Sequence, residues 1–177
     1  EKQELQNKLA ETLDYFKVIA EQVSSLMQAK TQSIANPKEQ KGKFPLIVLG
    51  NAGEGFYYFS TAEYLAANGY VVISLPSIGA SEAERCGFDL ACLNIQKQDM
   101  EFAIKESSKL RNVDSTKIGL VAWSFSGLAA AHLSLQNNAV KAVVSFDAAT
   151  GYQYGKDILD KSTEFEINQL KTPFLHF

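Results

Sequence analysis

The chain has 177 residues, of which 46% are hydrophobic and 21% charged, and its net charge is -3. This balance is typical of a single globular domain with a hydrophobic core. It excludes a bilayer span, because every apolar run is too short, and without a block of like charges it does not predict nucleic acid or an anionic membrane as a partner.

Residues 1–32 predict an amphipathic helical segment, which we expect to pack on the domain's own sheet rather than to act as a lid or to dock a partner. Residues 33–43 are polar, contain Pro37 and Gly42, and predict a linker. The chain begins at Glu1 without a signal-peptide pattern, which leaves cytoplasmic and exported locations open. The apolar residues of the helical segment recur at three- and four-residue steps: Leu5, Leu9, Leu13, Phe16, Ile19, Ala20, Val23, Leu26 and Met27.

Residues 44–177 predict one α/β domain with a mostly parallel sheet and helices on both faces, because apolar strands alternate with helices. In such sheets, ligands bind at the carboxyl ends of the strands. The predicted strands are 45–49, 70–75, 117–122 and 140–146, with a fifth beginning at 172–177, and the predicted helices are 57–68, 89–111 and 127–136.

The two cysteines, Cys86 and Cys92, lie in a loop that runs into a helix. They make a poor zinc site, which needs about four nitrogen or sulfur ligands, and we predict no metal. A disulfide requires the loop to fold back and an oxidising compartment. Two reduced thiols are therefore the expectation.

The most informative stretch is Ala122-Trp123-Ser124-Phe125-Ser126, followed by Gly127, which stands between a predicted strand and a helix rich in small residues. This layout resembles the nucleophile elbow of the α/β-hydrolase superfamily, with Ala and Ser in place of the outer glycines of G-x-S-x-G. The resemblance implies that Ser124 is the nucleophile. A buried serine at the end of a strand is the alternative.

The same resemblance implies an oxyanion hole. The loop Asn51-Ala52-Gly53 follows the first strand, where the family has a backbone donor after a His-Gly-like sequence, so this role falls on the Gly53 amide. The second donor is the amide of Phe125, immediately after the nucleophile. Each such donor is worth roughly 3 kcal/mol in acyl transfer. A plain glycine-rich turn is the alternative for the first loop.

Asp147 ends the strand that follows the nucleophile helix, in the stretch Ser145-Phe146-Asp147. The chain resembles the platelet-activating-factor acetylhydrolase-like and dienelactone-hydrolase-like esterases. A subset of α/β hydrolases, which includes relatives of platelet-activating-factor acetylhydrolase, has its triad acid at this strand. Residues 62–72 and 98–104 also resemble that subset, and the resemblance covers roughly residues 44–152. It implies that Asp147 is the acid, with a helix cap or loop residue as the alternative.

A serine hydrolase also needs a base, ordinarily a histidine between the serine and the acid. His132 lies two turns into the helix after Ser124, and His176 lies within the last predicted strand. Neither position matches the family, in which the base follows the last strand and an opening strand pair precedes the first one found here. We therefore expect the chain to be part of a longer hydrolase with its histidine elsewhere.

Taken together, the resemblance implies a serine-dependent hydrolase that cleaves small-molecule carboxylic esters through an acyl-enzyme, without a cofactor. A peptidase or a dienelactone-hydrolase-like activity on the same scaffold stays open, although the latter would usually have cysteine where Ser124 stands. A non-catalytic hydrolase-like binding protein is the alternative from another class. Phe88, Tyr152 and Tyr154 either line an acyl pocket or pack on the surface.

Overall fold

A computed structural model describes residue 28 and residues 30–51, 58–76 and 87–177. Within these, Ala35–Phe177 forms one unit. The amphipathic segment predicted for residues 1–32 lies almost entirely outside the described residues and stays a prediction. Residues 33–43, the predicted linker, contain no helix or strand and are exposed.

The described residues form a five-stranded sheet with the spatial order β2-β1-β3-β4-β5, in which every pairing is parallel. The predicted α/β architecture with a parallel sheet is thereby confirmed. The continuous apolar strands explain it, because parallel strands are covered by helices and need few polar positions. The strands are β1 (Phe44–Asn51), β2 (Val71–Pro76), β3 (Val113–Trp123), β4 (Val140–Phe146) and β5 (Phe174–His176).

The helices include one that the sequence did not predict, α4 (Gln153–Leu159). Its central Gly155 lowers helix propensity, whereas the burial of Ile158 and Leu159 stabilises the helix through tertiary packing. None of the described helices is both long and apolar enough to cross a membrane. The helices are α1 (Phe59–Ala67), α2 (Leu90–Ser107), α3 (Phe125–Gln136) and α4 (Gln153–Leu159).

The main core lies between the sheet and helices α2 and α3. Helix α3 is buried from Phe125 to Ser134, and its small residues Ala129 and Ala130 let it lie close to the strands. The large apolar side chains of this core, such as Leu46 and Leu120, are fully or almost fully buried. Each stabilises the fold by roughly 1.5–3 kcal/mol.

The carboxyl ends of β1, β3 and β4 lie side by side at one edge of the sheet. In register, Gly50 stands beside Ala122, and Ala122 beside Ser145. Ser124 and Asp147 directly follow β3 and β4. The two candidate site residues therefore follow the ends of two neighbouring strands.

Candidate active site

Ser124 stands alone between the end of β3 and the start of α3. Its backbone has φ 51° and ψ -128°, a conformation that costs a residue with a side chain about 1–3 kcal/mol. The side chain is exposed, whereas Ala122 and Phe125 on either side are fully buried. The chain thus turns sharply and lifts one hydroxyl out of an otherwise buried segment.

Backbone hydrogen bonds hold this turn from both sides. The Ser124 amide donates to the Phe146 carbonyl at 3.0 Å. The Ser124 carbonyl accepts from the Gly127 amide at 3.0 Å and from the Ala149 amide at 3.3 Å. A strained residue persists where its surroundings over-determine it, and here two of the partners, Phe146 and Ala149, lie on either side of Asp147 in the chain. The same bonds therefore fix the elbow and fasten it to the loop after β4.

Close backbone packing explains the small residues of the elbow. A Cβ at Gly50 would overlap the Cε of Met100, the end of a flexible side chain, and would make ordinary van der Waals contacts with the Cβ atoms of Ser126 and Ala122 at 3.5 and 3.6 Å. A Cβ at Gly127 would overlap the Cβ of Ala148 and lie 2.5 Å from Ser145 Oγ. The elbow and the loop after β4 therefore approach each other so closely that a larger residue at Gly127 would force them apart.

Asp147 follows β4 with φ 44° and an exposed side chain. Its amide donates to the Phe177 carbonyl at 2.9 Å, and its Oδ1 accepts from the Tyr152 hydroxyl at 2.8 Å. That hydrogen bond, together with the carboxylate charge, raises the pKa of Tyr152. The tyrosine therefore stays a donor and orients the carboxylate.

A row of aromatic rings runs along the ends of the strands beside the elbow. Trp123 and Phe146 are register partners on β3 and β4, and their rings stack with centroids 5.2 Å apart. Tyr58 stacks on Trp123 at 3.7 Å, and Phe177 stacks on Phe146 at 5.3 Å. Side chains alternate along a strand, so these rings and the buried Ala122–Ser145 pair lie on opposite faces of the sheet. The row stiffens the strand ends from which Ser124 and Asp147 project.

Of the two predicted oxyanion donors, Phe125 lies among the described residues and Gly53 does not. Gly53 lies outside the described residues, and its role stays a prediction. Phe125 is the first residue of α3, and the first amides of a helix have no acceptor within it. Its ring is fully buried and meets the Phe88 ring edge-on, with centroids 5.4 Å apart. Phe88 therefore packs against Phe125 of the elbow. The rings of Tyr152 and Tyr154 stack on each other, with centroids 5.8 Å apart.

The structure places His132 in α3 and His176 on β5, the elements in which the sequence predicts them. His132 is fully buried in α3, with Nε2 3.0 Å from Ser162 Oγ and with no hydrogen-bond partner for Nδ1 among the described residues. Burial and the nearby Lys97 ammonium lower the pKa of His132. His176 lies on β5 beside Ser145 and is exposed.

One expectation is wrong: Cys92 is not a reduced thiol but is disulfide-bonded. It lies in the first turn of α2, where its amide donates to the capping carboxylate of Asp89 at 2.8 Å. The other cysteine of the sequence, Cys86, lies outside the described residues.

No protein-family model and no curated protein matches the sequence, but solved structures match the fold. A ferulic acid esterase from Streptomyces cinnamoneus superposes with TM-score 0.60 and 18% identity, over 86% of this chain and 55% of its own. A dienelactone hydrolase from Anabaena variabilis gives TM-score 0.58 and 17% identity, over 77% and 62%. An acylaminoacyl peptidase from Pyrococcus horikoshii gives TM-score 0.57 and 20% identity, over 78% of this chain and 27% of its own.

The chain therefore resembles the α/β-hydrolase superfamily, and its parallel sheet and helices have the arrangement of that fold. It spans less than two-thirds of the length of each of these three structures. At such identities the likeness concerns the fold. The finer resemblance to the platelet-activating-factor acetylhydrolase-like subset stays a prediction.

Proposed function

We propose that this chain contributes the nucleophile and acid of a serine hydrolase that cleaves carboxylic esters through an acyl-enzyme. The observation that supports this most strongly is the exposed Ser124 at a strained strand-to-helix turn, hydrogen-bonded on both sides to residues that flank Asp147. An exposed hydroxyl on a rigid turn meets the geometric demand on a nucleophile. The hydrolase names among the structural neighbours agree with this chemistry, but they are statements about those proteins.

In the proposed reaction the Ser124 hydroxyl attacks the acyl carbonyl and loses its proton to a histidine. The carbonyl oxygen becomes an oxyanion, held by the Phe125 amide at the helix start and by the Gly53 amide. The tetrahedral intermediate then collapses, and the leaving alcohol takes up the proton from the histidine. Water attacks the acyl-enzyme by the same route, which releases the acid and restores Ser124.

Asp147 serves in this proposal to orient the histidine through one carboxylate oxygen. Tyr152 already donates to Oδ1, which leaves Oδ2 for the imidazole. The base is a histidine outside these 177 residues, because His132 is buried against Ser162 and His176 lies on β5. The proposed reaction needs no cofactor, since side chains and water complete it.

The test is hydrolysis of 4-nitrophenyl esters of increasing acyl length by the longest native form of the protein. We expect Ser124→Ala to abolish turnover, and Asp147→Asn to lower kcat/KM by about 10³-fold or more, because the acid fixes the tautomer of the base. The matched control is Asp157→Asn on α4, an exposed carboxylate that accepts from Gln153. Full activity of Ser124→Ala would refute the proposal, and equal losses in Asp147→Asn and Asp157→Asn would remove Asp147 from it.

A further inference from the structure

A polar residue occupies the buried stripe of α2. Leu93, Gln96, Met100 and Ala103 recur at three- and four-residue steps and are all buried. Gln96 is 1% exposed, although an amide in such a position costs free energy unless its hydrogen bonds are made. The residue therefore has a partner that holds it there.

That partner is the elbow. Ser126 Oγ, itself fully buried, donates to Gln96 Oε1 at 2.7 Å. At the other end of the amide, Gln96 Nε2 donates to Cys92 Sγ at 3.6 Å. Both ends of the amide are thus engaged, and Cys92 is in turn fixed by its disulfide and by the Asp89 cap. The glutamine has little freedom to turn away from Ser126.

Ser126 lies in the first turn of α3, two residues after Ser124, at the position where G-x-S-x-G has its last glycine. A Cβ built at Gly50, at the end of β1, would lie in van der Waals contact with the Ser126 Cβ, at 3.5 Å. The hydroxyl is consequently confined between the end of β1 and helix α2. Without an acceptor it would be a buried unpaired donor, and the helix start would have to shift to bring it to water.

We propose that Gln96 is a positioning residue of the nucleophile elbow. By holding the Ser126 hydroxyl, it fastens the first turn of α3 to α2 and so fixes the Ser124 side chain and the Phe125 amide relative to each other. The hydrogen bond takes over a task that close glycine packing performs in G-x-S-x-G. This inference rests on the proposed function, since it concerns the reactivity of Ser124.

The experiment measures the rate constant for reaction of Ser124 with a fluorophosphonate probe in the longest native form of the protein. Gln96→Met keeps the length of the side chain and removes its acceptor, and Ser126→Ala removes the hydroxyl alone. We expect each change to slow labelling of the folded protein at least tenfold, because a misplacement of about 1 Å costs about 100-fold. The double variant should be no slower than the slower single one, since both changes break one bond.

The labelling rate, compared with the unfolding temperature, separates a positioning role from a purely structural one. Ile104→Val, a buried position on the same helix, is the control: it should lower the unfolding temperature and leave the labelling rate unchanged. Labelling of Gln96→Met and Ser126→Ala within threefold of the wild-type rate, or effects that multiply in the double variant, would overturn the inference and leave the proposed function intact. If Gln96→Met does not fold, Ser126→Ala decides by the same threshold. A wild-type protein that takes no label overturns both.

Discussion

The start and the later half of helix α3 carry the two residue types that serine hydrolases use, in opposite settings. At its start, Ser124 is exposed on a strained turn. Two turns later, His132 is fully buried, with Nε2 against Ser162 and a lowered pKa. The comparison shows that backbone geometry and exposure, rather than residue type or closeness in sequence, separate a candidate nucleophile from a structural histidine.

Steric contact dominates around the start of the helix, whereas charged and polar side chains surround His132 in its later half. Around the elbow, Gly127 brings α3 onto the loop after β4 with no room for a side chain. Around His132, Lys97 links Gln136 and Glu164 by hydrogen bonds at 2.8 and 3.3 Å. Steric changes should therefore destabilise the protein mainly at the start of α3, and changes of pH should act mainly around His132.

The largest stability effect is expected for Gly127→Ala. The new Cβ overlaps that of Ala148, which is attached to backbone and cannot rotate away. Overpacking of this kind costs about 1–3 kcal/mol, and we expect the free energy of unfolding in urea to fall by that amount. Labelling of Ser124 should slow as well, because the same contact fixes the elbow.

The matched control is Gly119→Ala on β3, where the added Cβ would lie 2.9 Å from the Cδ1 of Ile47. That atom is the end of a flexible side chain, so we expect a smaller loss of stability. A Gly127→Ala protein as stable as the Gly119→Ala protein would contradict the close approach of α3 to β4.

The second prediction concerns pH. Burial and Lys97 lower the pKa of His132 from 6.5, with Glu164 opposing them. Below pH 6.5 the unfolded chain therefore binds a proton that the folded chain does not, and stability falls as the pH drops toward the folded pKa. We expect the free energy of unfolding, measured by urea titration from pH 7 to 5, to decrease in this direction.

His132→Leu removes the titrating group and should flatten that decrease. It should also leave ester hydrolysis at pH 7.5 within about threefold of wild type, because a buried side chain paired to Ser162 takes no part in the proposed reaction. A His132→Leu protein with the wild-type pH dependence of stability would contradict the role of His132 in that dependence. A His132→Leu protein without activity would contradict its purely structural role.

The smallest effect is expected for Ser145→Ala. Ser145 Oγ is buried beside Gly127 and has no hydrogen-bond partner among the described residues. Removing an unpaired buried hydroxyl should leave stability unchanged or raise it by up to about 1 kcal/mol. Ser134→Ala is the comparison in thermal unfolding: its hydroxyl donates to the Ala131 carbonyl at 2.8 Å, so its loss should cost about 0.5–1 kcal/mol. The reverse order would mean that Ser145 makes a stabilising contact.

Much of this arrangement was predictable from the sequence because it depends on local patterns. The apolar runs of β1, β3 and β4 predict parallel strands, and the step from strand to small-residue helix predicts the turn at Ser124. Asp147 follows from the same rule, since neighbouring parallel strands end at one edge of the sheet. The positions of these residues follow from periodicity and chain order, whereas the sharp turn and the roles proposed for Ser124 and Asp147 come from the resemblance to α/β hydrolases.

Contacts between distant segments were not predictable in this way. The bond from Ser126 to Gln96 joins α3 to α2, and the sequence signal for it is a single amide on an otherwise apolar helical stripe. Helix α4 forms because Ile158 and Leu159 are buried in a cluster with Leu93, Phe125 and Leu128, which local propensity does not show. The bond from Tyr152 to Asp147 depends on that helix start, so it was missed together with α4.

The measurement that tests the central claim most directly is fluorophosphonate labelling of the longest native form, with the adduct mapped by mass spectrometry. The probe reacts with activated serines and largely spares ordinary ones. We predict an adduct on Ser124 that disappears in Ser124→Ala and persists in Ser134→Ala. A well-folded protein that takes no label at Ser124 would contradict the account and favour a hydrolase-like binding protein.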